Sequence, residues 1–257
     1  MPKKSRTPPP PRRPVQAPQR RGDTTRRSTD DRRKLLLLLF AGSGLVALAI
    51  VIAVIVFSGS GSNGSSTTGT LGGNAGVASA MRAAGCTYED VAGPKPPKGQ
   101  QQHIQTLADK VDWNTFPPAG GQHYPLWAVW DFYTDPVDPK QVVHNEEHGG
   151  VILWWGAKVP ASEVDRMRAF YDSSPTSVLG TPLPGAIDGK SLGSEVAITA
   201  WTGDPSTYQK ANWGFEHVAI CPRFDEHAFT VFRDAYRSHG PEGTPEEANH
   251  PGEGPNG

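Results

Sequence analysis

The chain has 257 residues, with 25 Lys and Arg against 26 Asp and Glu and a formal net charge of −1, a balance that conceals two opposite parts. Residues 1–34 hold 12 of the basic residues but only Asp23, Asp30 and Asp31 among the acids, a net of +9, so the rest of the chain nets −10. Basic charge confined to one arm, directly ahead of an apolar span, argues against nucleic acid as the partner and for a role at a lipid surface.

The arm is rich in proline and polar residues, with Pro8 to Pro11 in a run, and has too little apolar surface to offset the entropy of ordering; it is expected to be disordered. Leu35 to Phe57 is 23 residues without a charge, which at 1.5 Å per residue reaches roughly 35 Å and predicts a transmembrane helix. A cleaved signal peptide carries an apolar region of only about 7 to 15 residues, and Arg26-Arg27 lead into Ser-Thr-Asp-Asp rather than an apolar stretch, so neither export signal fits. The positive arm then sets the N-terminus in the cytoplasm and the remainder outside the membrane, with the lipid bilayer as the first partner. Residues 58–80 are Gly, Ser, Thr and Asn with little else and no charge, and read as a flexible tether. Residues 81–240 form one ordinary extracytoplasmic domain containing all seven tryptophans, and 241–257, rich in Pro, Glu and Gly, reads as a disordered, solvated tail.

Within the domain, Leu126 to Tyr133 is aromatic and β-prone. Asp138 supplies an N-cap, Pro139 the first helical position and Gly149 a left-handed C-cap, which predicts a short helix over 139–148 feeding a strand over Val151 to Trp155. Ser162-Glu163-Val164-Asp165 resembles a capping box, and Val164, Met167, Arg168 and Tyr171 continue with helical spacing. Thr176 to Leu183 and Glu195 to Trp201 read as strands, and Asp225 caps a last helix with Phe229, Phe232 and Tyr236 on one stripe. This order predicts an α+β fold with a mixed sheet and about three helices; a thioredoxin-like arrangement has the same order, without its C-x-x-C. Cys86 and Cys221 stand at the two ends of the domain, and an even count outside the membrane reads as a disulfide. Closing a loop of about 135 residues contributes on the order of 5 kcal/mol in the chain-entropy account.

The chemistry concentrates in His144-Asn145-Glu146-Glu147-His148. On a helix His144 and His148 share a face about 5 to 6 Å apart, so both imidazoles can converge on one ion at about 2.0 to 2.1 Å. A helix-end histidine is also favoured by the dipole alone, and Glu147 is placed as an i, i+3 partner of His144. Upstream, the proline and glycine turn Phe116 to Pro125 presents His123, and His103 follows a glutamine run. His217 reads as a sheet histidine, and His227, His239 and His250 as surface residues. The first functional expectation is a transition-metal module built from His123, His144 and His148 with His103 as a further candidate, and zinc or copper as the ion. The second is a zinc hydrolase, because His144-x-x-Glu147-His148 has the order in which Glu147 would act as base toward a metal-activated water. The third, from the tryptophans, is a non-metal module binding cell-envelope glycan or protein.

Several of these segments together resemble the bacterial domain-of-unknown-function family 3105. They are Pro117 to Pro125, Val143 to Val151, Ala200-Trp201, the late cysteine and Pro241-Glu242. The family's turn P-P-T-S-G-P-H is met with Ala119, Gly120 and Gln122 in place of Thr, Ser and Pro, and its H-S-L-E-H-G with Asn145-Glu146 in place of Ser-Leu, while His123, His144, Glu147 and His148 match. The resemblance spans about residues 85 to 242 and implies a membrane-anchored envelope module with no assigned activity.

Overall fold

The computed structural model describes residues 74–93, 102–208 and 213–255. The basic arm, the expected transmembrane helix over 35–57 and most of the 58–80 tether lie outside the described residues. Among the described residues no helix is long and apolar enough to cross a membrane.

The elements run α1 (Ala75–Ala83), β1 (Thr87–Ala92), α2 (Pro139–Glu147), β2 (Val151–Trp155), α3 (Ala161–Ser173), β3 (Val178–Pro182), β4 (Val196–Thr202), β5 (Phe215–Cys221) and α4 (Glu226–Tyr236), followed by a 3-10 turn at Glu246–Asn249. The five strands form one mixed sheet in the order β1-β5-β4-β2-β3, antiparallel except for the parallel β2–β3 pair. The α+β class and mixed sheet therefore hold.

The sheet is buried on both faces. Along β2, Val151, Leu153 and Trp155 join a core completed by Val77 and Met81 of α1, Met167 and Phe170 of α3, and Phe229 and Phe232 of α4. The alternate residues Ile152 and Trp154 join Trp130, Val142 of α2, Leu179 and Ala197 in a second core. So α1, α3 and α4 cover one face, and α2 with Ala128 and Trp130 of the irregular 126–133 segment covers the other, while Phe132 of that segment packs on Trp155 and Tyr171 in the first core. Strands sandwiched in this way read as apolar runs rather than alternating patterns, which is why β2 is visible in the sequence.

Four readings need correction. There are four α-helices among the described residues rather than about three, because α1 lies where the tether was expected: Asn74 accepts from the Gly76 and Val77 amides at 3.0 and 3.3 Å, and Val77 and Met81 are fully buried. Residues 241–255 are largely exposed but are fastened to the domain rather than free of it. Asn249 is fully buried and donates to the His148 carbonyl at 2.9 Å, and Trp130 exchanges backbone hydrogen bonds with Glu253 and Gly252.

The aromatic 126–133 segment is not a ladder strand, because its backbone groups are satisfied piecemeal. The Asn145 side chain takes both the N–H and C=O of Ala128 at 2.9 Å each, Gly252 and Glu253 take Trp130, and Gly180 takes Asp131 and Tyr133. Finally, Ser162 does not cap α3. The helix opens at Ala161 after Pro160, without a side-chain cap, and Glu163 accepts instead from the Phe224 amide.

β1 and β5 escape a pattern reading, because buried Glu216 and His217 interrupt the apolar run of β5. Cys86 and Cys221 lie at disulfide distance, sulfurs 2.00 Å apart, one step beyond the Thr87–Ile220 register pair, and tie edge strand β1 to β5.

Candidate metal centre

Helix α2 starts as its sequence dictates. Asp138 accepts from the Lys140 amide at 2.9 Å with Pro139 at the first position, and the helix stops at Gly149, whose φ of +90° is open to glycine and strained for other residues. From Val142 to Glu147 every residue is buried, so each polar side chain on the helix needs a partner. Asn145 fastens the 126–133 segment, and Glu146 accepts from Thr199 at 2.5 Å, burial pushing its carboxyl well above the usual range. His144 and Glu147 point instead toward a cluster of histidines.

Two further segments deliver those histidines. Gly121 takes φ +94° in the turn, and its carbonyl accepts from His123 Nδ1 at 2.8 Å. The 102–104 segment pairs with His123 through Ile104 N to His123 O (2.9 Å) and His123 N to Gln102 O (3.1 Å), which sets the His103 and His123 rings 4.9 Å apart. The His123 and His144 rings are 4.7 Å apart, and those of His103 and His144 5.2 Å. His144 Nδ1 also lies 2.8 Å from a carbonyl, that of Tyr124. Both Nδ1 atoms facing carbonyls must carry the proton, so the free lone pair of each neutral ring is on Nε2.

Those lone pairs face Glu147, whose Oε2 is 3.0 Å from His123 Nε2 and 3.7 Å from His144 Nε2. The shorter contact is out of line for a ring hydrogen bond, and the fully buried His123 Nε2 has no hydrogen-bond partner. The other carboxylate oxygen, Oε1, accepts from Gln102 and from the Tyr208 hydroxyl. Burial alone would raise the Glu147 carboxyl; the neighbouring His123, the Tyr208 hydroxyl and His144 outweigh it and hold the group down at about 2. Burial, with His123 and His148 adding to it, pushes His144 down to about 3, and burial likewise lowers His103. An ionised carboxylate and the Nε2 atoms of His123 and His144 thus converge, and wherever a ring is neutral its electron pair faces that of the carboxylate. A proton on one ring relieves one such contact; a cation among them relieves all.

The ligand atoms of His103, His123, His144 and Glu147 all lie within 4.8 Å of one another, so this His/Glu cluster could hold a metal ion. The donor set suits one: three imidazoles and a carboxylate, with the ring protons of His123 and His144 donated to backbone carbonyls in the manner that orients metal-bound histidines. The predicted residues do not all meet in one place. His148 is absent from this group and pairs with Glu242, Nε2 to Oε2 at 3.0 Å, while Trp127 packs edge-on against both His144 and His148. Glu147 sits among the ligand atoms rather than beside them. His217 is the sheet histidine expected, with Nδ1 at 2.5 Å from Asp90 and Nε2 at 2.8 Å from Thr202.

Gln102, Tyr208 and Glu242 complete the surroundings and were not legible as site residues. Only Pro241-Glu242, among the motifs of the resemblance, hinted at the last.

Fold and site together define an α+β domain that carries a largely buried histidine and glutamate cluster with the donor chemistry of a metal site. The model of the family described as "Protein of unknown function (DUF3105)" matches residues 103–250, more than half of the chain, and the chain belongs to that family. The matched span begins at His103 and ends beyond Glu242, so it contains every residue of the cluster. No curated protein and no solved structure matches the chain.

Proposed function

We propose that the domain binds a transition-metal ion through His103, His123, His144 and Glu147. The observation that carries this reading is the pair of buried rings, His123 and His144, each with Nδ1 facing a backbone carbonyl and Nε2 facing one carboxylate oxygen. Zinc and copper both suit neutral imidazoles, and the ion would supply positive charge where three lone-pair donors and a carboxylate meet. Tyr208 and Gln102 hold Oε1, leaving Oε2 to face the ion.

The hydrolase reading is disfavoured by the same geometry. Its pattern needs Glu147 free to take a proton from water, whereas Glu147 lies among the ligand atoms of the cluster. Nor do the tryptophans favour a glycan or protein platform, since Trp130, Trp154 and Trp201 are fully buried. We further propose that residues 35–57 anchor the chain in a membrane with the domain outside, supported by the basic arm before the apolar span.

The test is metal analysis of the purified full chain together with its melting temperature with and without chelator. We expect about one zinc or copper per chain and a melting temperature that falls when chelator removes it, because a ligand that binds only the native state stabilises it by mass action. His123→Ala should lose both the metal and the chelator effect. No stoichiometric metal and no response to chelator would overturn the metal reading.

A further inference from the structure

Beside the cluster lies a second group that the proposed site does not use. The ligand atoms of His144, His148 and Glu242 also lie within 4.8 Å of one another, and the His144 and His148 rings are 4.7 Å apart. Glu242 is held in place through its own backbone, its amide donating to the Glu147 carbonyl at 3.3 Å. The two groups differ in where their carboxylates lie: the Glu147 side chain is 2 % exposed and that of Glu242 50 %, while each group has one exposed member, His103 in the first and Glu242 in the second. His144 belongs to both groups but has one nitrogen to give, because Nδ1 is spent on the Tyr124 carbonyl. It can therefore serve one ion at a time.

Resting on the metal reading, we propose that the ion has two alternative positions that share His144. The outer position, formed by His144, His148 and Glu242, is where a zinc or copper ion is captured from solvent. The inner one, formed with His103, His123 and Glu147, is where it is retained. The ion passes between them by exchanging His148 and Glu242 for His123 and Glu147 while His144 stays bound, so that it never sheds all its protein ligands at once. Three donors around an exposed carboxylate make the weaker position, and four donors around a buried carboxylate the tighter one. The outer pair thus governs how fast the ion enters and leaves rather than how tightly it is held.

The experiment follows Zn²⁺ alone, on the full chain, in two measurements: equilibrium stoichiometry and affinity against a chromogenic chelator, and the rates of zinc uptake and removal by stopped flow. Glu242→Gln and His148→Ala should each still bind one zinc with near wild-type affinity, but take it up and release it about tenfold more slowly. Glu242→Gln keeps the shape of the side chain, so it reads the proposal even if loss of the His148 ring disturbs its packing on Trp127. His103→Ala, which removes an inner ligand, should do the opposite, lowering affinity and speeding release. Unchanged exchange rates in Glu242→Gln, or two zinc ions bound at once to the wild type, would overturn the handover and leave the inner site standing. A wild type that binds no zinc or copper would overturn the metal reading itself, and the handover with it.

Discussion

Glu147 shows how a carboxylate is kept ionised inside a protein. Its burial opposes charge, and what reverses the balance is a set of specific neighbours: His123 and His144 on one oxygen, Tyr208 and Gln102 on the other. Removing a partner that orients a metal ligand commonly costs 10- to 100-fold in affinity, so Tyr208→Phe should weaken zinc binding by about that factor while leaving one ion per chain at saturation. A chelator competition that finds unchanged affinity would show that the hydroxyl does not orient the ligand.

Glu216 is the contrasting case at the same scale. It is fully buried in β5, and burial, with Glu89 adding to it and a Thr115 hydrogen bond opposing, pushes its carboxyl up to about 8. The folded protein therefore keeps a proton that the unfolded chain releases near the ordinary value of 4.5, so stability should fall as pH rises from about 4.5 to about 8 and level off above. Denaturant titrations at pH 5 and pH 8 should show this slope in the wild type and a flatter one in Glu216→Gln. An equal slope in the two would remove Glu216 as its origin.

Among the elements, α2 is the one on which the site depends, and it is unusual in being buried along most of its length while carrying few apolar residues. Val142 anchors it to the second core and Val143 packs with Trp201 and Tyr208, and the remaining grip is polar. Asn145 alone satisfies both backbone groups of Ala128, so Asn145→Ala strands a buried donor and a buried acceptor at about 1–3 kcal/mol each. We expect a loss of about 2–5 kcal/mol in urea denaturation, and release of the segment that presses Trp127 against His144 and His148. A loss below about 1 kcal/mol would mean that water replaces the amide without cost.

For the molecule as a whole, the C-terminal part of the domain is fastened back onto earlier elements twice. Cys86 and Cys221 pair at the edge of the sheet, and the segment after α4 returns to α2 through Glu242 and Asn249. Because the cysteines close a loop of 135 residues, Cys86→Ser with Cys221→Ser should lower stability by on the order of 5 kcal/mol in the chain-entropy account, measured by denaturant titration beside the reduced wild type. A change under about 1 kcal/mol would mean that the ladder between β1 and β5 already holds the edge. The proposed topology belongs to this scale as well: a reporter fused after Gly257 should be active only outside the cytoplasm, and activity inside would reverse it.

What the sequence determined by itself is what local rules govern. The bounds of α2 follow from Asp138, Pro139 and Gly149, the final helix from Asp225 and its aromatic stripe, and strands β2 and β4 from apolar runs buried on both faces. The histidines worth watching were legible too, because a helical spacing and a rigid turn announce His144, His148 and His123. Which of them meet was not. His103 joins through a backbone bridge to His123, Glu147 becomes a candidate ligand because Tyr208 and Gln102 turn it, and His148 is drawn away by Glu242 from a segment read as a tail. Each of these depends on contacts between residues 20 to about 100 positions apart, and no periodicity or cap records such a contact. Only the closing of the sheet and the packing of α2 against it decide them.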